Sequence, residues 1–187
     1  MKKVFIDCGY YRGRATELFK ETKEYCEDFI FHAFEPCLKE NKISHKHKGV
    51  VTYHAEVAWL YDGEIDFYAS GRKEGRANGV FSNPRAVKRG QQTVFKTPCI
   101  DFGKWIKDNF SKDDYIVLKM DIEGAEHDIL PHMIVDGSIY YLNLAYVEFH
   151  DKKREGYSIL KQTLKNIEGF ELRGAIELCY DKFKETS

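Results

Sequence analysis

No apolar run in this sequence approaches the roughly 20 residues a helix needs to cross a bilayer. The opening run Val4-Phe5-Ile6 stops at Asp7, too short for the apolar segment of a secretory signal, so a cytoplasmic location is expected. Paired cysteines are also lacking. Cys8, Cys26, Cys37, Cys99 and Cys179 are odd in number and show no Cys-x-x-Cys or Cys/His ligand spacing, which argues against a disulfide scaffold and a structural zinc site. An excess of either charge is missing too: 29 basic and 30 acidic residues leave a net charge of −1, so total charge singles out no partner. No linker, repeat or low-complexity stretch divides the chain. What is present is an ordinary globular composition, 43% hydrophobic and 32% charged over 187 residues, enough for a core covered on two sides. Residues 1–187 are expected to form a single domain.

Along the chain, strand-like and helix-like segments alternate. Lys3 to Cys8 is a short apolar strand ending in an acid, and Gly9 to Gly13 is a turn. Helical spacing of Ala15, Leu18, Phe19 and Tyr25/Cys26 predicts a helix from Arg14 to about Cys26. Asp28 to Phe34 reads as a strand stopped by Glu35-Pro36, and a polar helix is expected to run from there to about Lys48-Gly49. Val50 to Ala58 reads as a third strand. Asp62-Gly63 between alternating residues signals a hairpin. The hairpin and an irregular basic segment make an insertion at about 59–96, with a short strand at Val94 to Cys99. Asp101 to Asn109 is helical in pattern, with Trp105 and Ile106 on one face, and Tyr115 to Ile122 is the strongest strand. A helix from Ala125 to about Met133, a strand from Leu142 to Phe149 and a helix from Arg154 to Glu168 follow. In the last, Ile159, Leu160, Thr163, Leu164 and Ile167 share a face. Phe170 to Tyr180 supplies a last strand or a pair. Near-continuous apolar strands alternating with helices predict an α/β fold, a mostly parallel sheet with helices on both faces. Some antiparallel pieces are expected at its edges.

In such sheets a ligand lies beyond the carboxyl ends of the strands, near the switch in strand order. Those ends carry Asp7 and Gly9, then Glu35, then Glu56, then Lys119, Asp121 and Glu123, then Glu148 and His150. A packed core has no use for ionisable groups there, whereas a site does. The glycines of Asp7-x-Gly9-x-x-x-Gly13 allow a tight turn and close approach of a ligand to the main chain. The helix start beyond them offers unpaired N–H groups. Glu35 is placed to accept from two ribose hydroxyls and would repel a phosphate, which favours NAD or an adenosyl cofactor over NADP. Each residue alone has a plainer reading: Glu35 as a turn residue, His150 as a surface histidine, Lys119 as a snorkelling side chain, Cys8 as packing rather than a nucleophile. The pattern over successive strand ends outweighs them.

These residues also carry a resemblance. Val4-Phe-Ile-Asp-Cys-Gly-Tyr-Tyr-Arg-Gly13, Ala33-Phe-Glu-Pro36, Thr97-Pro-Cys-Ile-Asp101, Leu118-Lys-Met-Asp-Ile-Glu-Gly-Ala-Glu126 and Val147-Glu-Phe-His150 resemble, in order, the FkbM family of methyltransferases. The resemblance spans about residues 4–150. It implies a Rossmann-like class I methyltransferase fold, S-adenosyl-L-methionine as cofactor, and methyl transfer to a hydroxyl of a sugar, glycan or natural product. It assigns Asp7, Gly9 and Gly13 to the cofactor turn, Glu35 with Pro36 to the ribose, and Asp121 to the neighbourhood of the methyl group. Tyr10 and Tyr11 depart from the small residues the family often has there. They either stack on a ligand, close the pocket or turn outward. With the first strand opening the chain, an open site is expected, suited to a large acceptor or completed by a partner subunit.

An alcohol acceptor must lose its proton during attack, so a base within reach is expected. Asp121, Glu148 and His150 are the candidates, His150 by its ordinary pKa and Asp121 by position, with Lys119 suited only if burial lowers its pKa. Asp121, Glu123, Glu148 and His150 also offer an oxygen-rich set for Mg2+, but their spacing has no metal signature and no metal is assigned. Arg72, Lys73, Arg76, Arg85, Lys88, Arg89 and Lys96, with four lysines and two histidines between Lys39 and Lys48, suit an anionic acceptor. Solvated surface is the preferred reading of them. The competing functions are a nucleic-acid ribose methyltransferase, a cofactor-binding module without catalysis and, least favoured, a nicotinamide dehydrogenase. Oligomeric state is left open.

Overall fold

The computed structural model describes residues 1–37, 47–70, 78–82, 90 and 92–176. Six strands form a parallel sheet: β1 (Lys3–Cys8), β2 (Phe29–Phe34), β3 (Val51–His54), β7 (Tyr115–Met120), β8 (Leu144–Val147) and β9 (Glu171–Arg173), in the order β3-β2-β1-β7-β8-β9. Alternation divides the side chains between two cores. Val4, Ile6 and Cys8 of β1, Ile116, Leu118 and Met120 of β7, and Ala145 and Val147 of β8 share one core. It is covered by α2 (Phe102–Asn109), α3 (Glu126–Val135) and α4 (Tyr157–Lys165). Phe5, Phe31, Val117, Leu144 and Tyr146 face the other side, where α1 (Arg14–Lys20) brings Ala15, Leu18 and Phe19. Phe19 stacks on Phe5 with ring centroids 4.2 Å apart. The α/β fold with helices on both faces of a parallel sheet is the one expected.

Three expectations need correction. The run 50–58 is not one strand. It breaks at Ala55-Glu56, and its second half, β4 (Val57–Trp59), leaves the main sheet for a smaller one in which it pairs with a strand from Gln92 to Asp101. Apolar content alone does not say which sheet a strand joins, but the charge of Glu56 inside the run marked the break. Asp62-Gly63 does not close a hairpin between adjacent strands. β5 (Gly63–Ser70) pairs antiparallel with β6 (Gln92–Asp101), which lies between β4 and β5. A turn dipeptide reports a local reversal and not the pairing partner. Antiparallel pairing is also absent from the described edges of the main sheet, where β9 runs parallel to β8.

Helix ends move as well. α1 stops at Lys20 because Thr22 turns its hydroxyl back onto the Phe19 carbonyl, 2.7 Å away. Tyr25 still packs on Phe19 and Phe29, from a turn rather than a helix. α2 begins at its Asp101 cap, whose carboxylate accepts from the Lys104 N–H at 2.9 Å. In α4, Leu160 and Leu164 are buried, whereas Ile159 is 75% exposed. The helix expected after Pro36 and most of the basic segments lie outside the described residues. No helix among the described residues is long and apolar enough to cross a membrane.

Candidate functional site

The strand order reverses between β1 and β7, and a cleft of about 570 Å3 opens there at the carboxyl ends of the strands. That volume is in the range of small-molecule sites. Strands from both halves of the sheet feed it: Gly9, Tyr10 and Tyr11 after β1, Glu35 and Pro36 after β2, Glu56 after β3, Lys119 and Asp121 on and after β7, Glu148 and His150 after β8. Phe34, Val57, Ala58, Phe67, Val80 and Ile122 supply an apolar wall. Two of the residues picked out by sequence, Asp7 and Gly13, do not line it.

Asp7 stands directly behind the cleft. It lies opposite Lys119 in the β1–β7 register, and both side chains are buried. Lys119 Nζ is 3.1 Å from Asp7 Oδ1 and also donates to the Gly9 carbonyl at 2.7 Å. The second Asp7 oxygen accepts from the Thr16 hydroxyl at 3.1 Å. The pair therefore fixes the turn after β1, and the Lys119 charge is committed to Asp7, with Asp121 3.8 Å away. Gly9, at φ +81°, is required by crowding: a Cβ there would sit 1.9 Å from the Asp121 carbonyl oxygen. Gly13, at φ +74°, makes room for the Tyr10 hydroxyl and the His47 ring instead of for a ligand.

Tyr10 turns inward. It is 2% exposed, and its hydroxyl bonds to His47 and, at 2.9 Å, to Tyr53, so its contribution to the cleft is not a stacking platform. His47 also pairs with Glu17. Burial pushes the Tyr10 phenol well above its ordinary range. Burial likewise raises the Cys8 thiol, which keeps it a packing residue.

Glu35 is held at the cleft by two backbone donors. Tyr11 N–H reaches Oε2 and Cys37 N–H reaches Oε1, each at 3.1 Å. Burial raises its pKa, and these two bonds oppose the rise. A carboxylate oxygen accepts at two lone-pair sites, so each oxygen retains one for a further donor.

Across the cleft, His150 is gripped by a residue the sequence reading left out of the site. Glu126 is wholly buried, and its Oε1 accepts from the His150 backbone N–H at 2.6 Å and from ring Nδ1 at 3.1 Å. The hydrogen bond to Glu126 raises the His150 pKa to about 9, with Glu126, Glu123 and Asp121 adding to the field against burial. The ordinary pKa that made His150 a candidate base is therefore not the one its surroundings give it. Burial would raise Glu126, but the His150 bonds leave it below its ordinary value. The signal for Glu126 was in the sequence, as the last acid of Lys119-x-Asp-x-Glu-Gly-x-Glu126. That it pairs with His150, 24 residues away, was not.

Among the described residues, the acids of the cleft do not gather into a three-ligand metal group. Asp101, His132 and Asp136 do so elsewhere, with Lys107 Nζ already 2.8 Å from Asp136.

A parallel sheet with a carboxylate-lined cleft at its switch point is the ligand-binding arrangement of the doubly wound α/β proteins. Within that class, residues 7–173 match the family described as the Methyltransferase FkbM domain, and the chain belongs to it. The protein is a methyltransferase by family. No curated protein and no solved structure matches the chain.

Proposed function

We propose that the protein transfers a methyl group from S-adenosyl-L-methionine to a hydroxyl oxygen of a sugar, glycan or other small-molecule acceptor. The observation that carries this reading is the convergence of strand-end carboxylates with an apolar wall on one cleft at the switch point. The residues suit the cofactor. Glu35, with one acceptor site remaining on each oxygen, would hold a ribose diol, and the wall around Phe34 and Val57 would take the adenine ring. When bound, the cofactor supplies an electrophilic methyl on sulfonium sulfur: the acceptor oxygen bonds to that carbon, and the carbon–sulfur pair leaves with sulfur.

The chain's own part is alignment and proton handling. Asp121 is the base in this reading. It is partly exposed to the cleft, and its carboxylate accepts the hydroxyl proton as the oxygen attacks. Lys119, paired with Asp7, holds the turn. Glu148, exposed at the end of β8, would accept from other hydroxyls of the acceptor.

Calorimetry with S-adenosylmethionine and S-adenosylhomocysteine tests the cofactor assignment. Micromolar binding that Glu35→Ala weakens by about tenfold or more is expected from the loss of two hydrogen bonds. Absence of binding to the folded wild type would overturn the methyl-transfer reading.

A further inference from the structure

A carboxylate with no access to water is costly unless every donor around it is used well. Glu126 is 0% exposed, on the first turn of α3. Its Oε2 accepts from the Gly124 N–H at 3.0 Å, in the loop after β7, while Oε1 holds both the backbone and the ring of His150 beyond β8. The adjacent His127 donates to the His150 carbonyl from Nε2. Two consecutive residues of α3 thus fix the main chain and ring of one histidine. With Nδ1 tied to Glu126, Nε2 stands 3.8 Å from Asp121 Oδ1 and 3.6 Å from Glu123 Oε2, and all three residues line the cleft. Those separations exceed a hydrogen bond. An oxygen accepting from Nε2 at ~2.8 Å would be within reach of Asp121.

We infer that Glu126 is a positioning residue that fixes His150 so that its Nε2–H donates to the reacting oxygen of the acceptor, while Asp121 accepts that oxygen's proton. The inference rests on the methyl-transfer reading above, and the bond changes are those given there. His150 keeps both ring protons throughout and lowers the cost of negative charge developing on the oxygen. The charged groups that face its ring are Glu126 from α3 and Asp121 and Glu123 from the loop after β7. Glu148 lines the same cleft from β8, and His127 meets only the backbone carbonyl. The hydrogen-bonded Glu126 accounts for most of the elevation of His150.

NMR of the histidine rings tests this without a known acceptor. Wild type and Glu126→Gln are compared free and with S-adenosylhomocysteine, His150→Asn supplies the assignment, and glycerol at about 1 M serves as the hydroxyl probe, at a strength suited to a weak single-site contact. The wild-type His150 ring is expected to titrate near 9. Glu126→Gln should lower that by more than about one unit while changing S-adenosylhomocysteine affinity by less than about twofold. Glycerol should shift the Nε2 resonance in the wild-type complex and leave it unmoved in Glu126→Gln. A wild-type His150 that titrates at its ordinary 6.5 or below, or is unmoved by glycerol, overturns the inference, even if Glu126→Gln fails to fold. Absence of S-adenosylhomocysteine binding would sink the cofactor reading instead, and the titration of the free chain would still report on Glu126.

Discussion

Lys119 and Asp7 show how a single pair can set the geometry of a site without lining it in full. Both charges are buried, so neither is tolerable alone. Lys119→Met is expected to leave an uncompensated carboxylate and to destabilise the fold by about 3–5 kcal/mol. Adding Asp7→Asn should restore much of that loss, because the second charge is then gone as well. Urea unfolding of the single and double variants measures it. Equal losses in the two would show that the pair contributes only as packing.

At the scale of elements, the site depends on how closely the turn after β1 approaches the loop after β7. Gly9 N–H bonds to the Phe34 carbonyl at 3.0 Å, and Asp121 N–H to the Cys8 carbonyl at 3.1 Å. Neither loop can retreat without breaking a backbone bond. Gly9→Ala would place a methyl against the Asp121 carbonyl at a left-handed φ of +81°. A cost above about 2 kcal/mol and weakened S-adenosylhomocysteine binding are expected. An alanine variant with wild-type stability and affinity would mean that the two loops are not in contact. The break between β3 and β4 acts at the same scale. It carries Glu56 into the cleft and sends Val57 and Ala58 to its wall.

For the whole molecule, histidines in opposite situations bracket the pH range of greatest stability. His32 is driven down to about 4, chiefly by burial, and bonds to His54 at 3.0 Å, among Phe34, Trp105 and Phe110. Its folded pKa lies below the unfolded value, so the stability linked to it is complete above 6.5 and is lost as pH falls toward 4. His150 is the reverse: its folded pKa of about 9 exceeds the unfolded value, so its contribution is complete below 6.5 and is lost as pH rises through 9. Each limb is worth on the order of 2 kcal/mol after allowance for partial exposure. The Tm is therefore expected to peak near 6.5 from these two groups. His32→Phe should flatten the acid limb, and Glu126→Gln the alkaline limb together with a smaller loss at the acid end, because Glu126 itself is held below its ordinary value. A Tm that neither variant changes across pH 4 to 9 would contradict both assignments.

By itself the sequence determined the alternation of apolar strands with helices, the acids at the strand ends and the family to which they belong. All of these are written locally, in a period of two or 3.6 residues or in a short motif such as Lys119 to Glu126. Glu35, Asp121 and Glu148 could be placed at strand ends because a strand's end is visible where its apolar run stops. Tertiary structure alone decided which strands are neighbours, why 50–58 divides between two sheets, and that β6 separates β4 from β5. It also decided that Tyr10 faces inward to His47, 37 residues away, and that His150 is charged because Glu126 is buried beside it. Pairing, burial and pKa depend on groups distant along the chain and adjacent in space, and local periodicity carries no record of them.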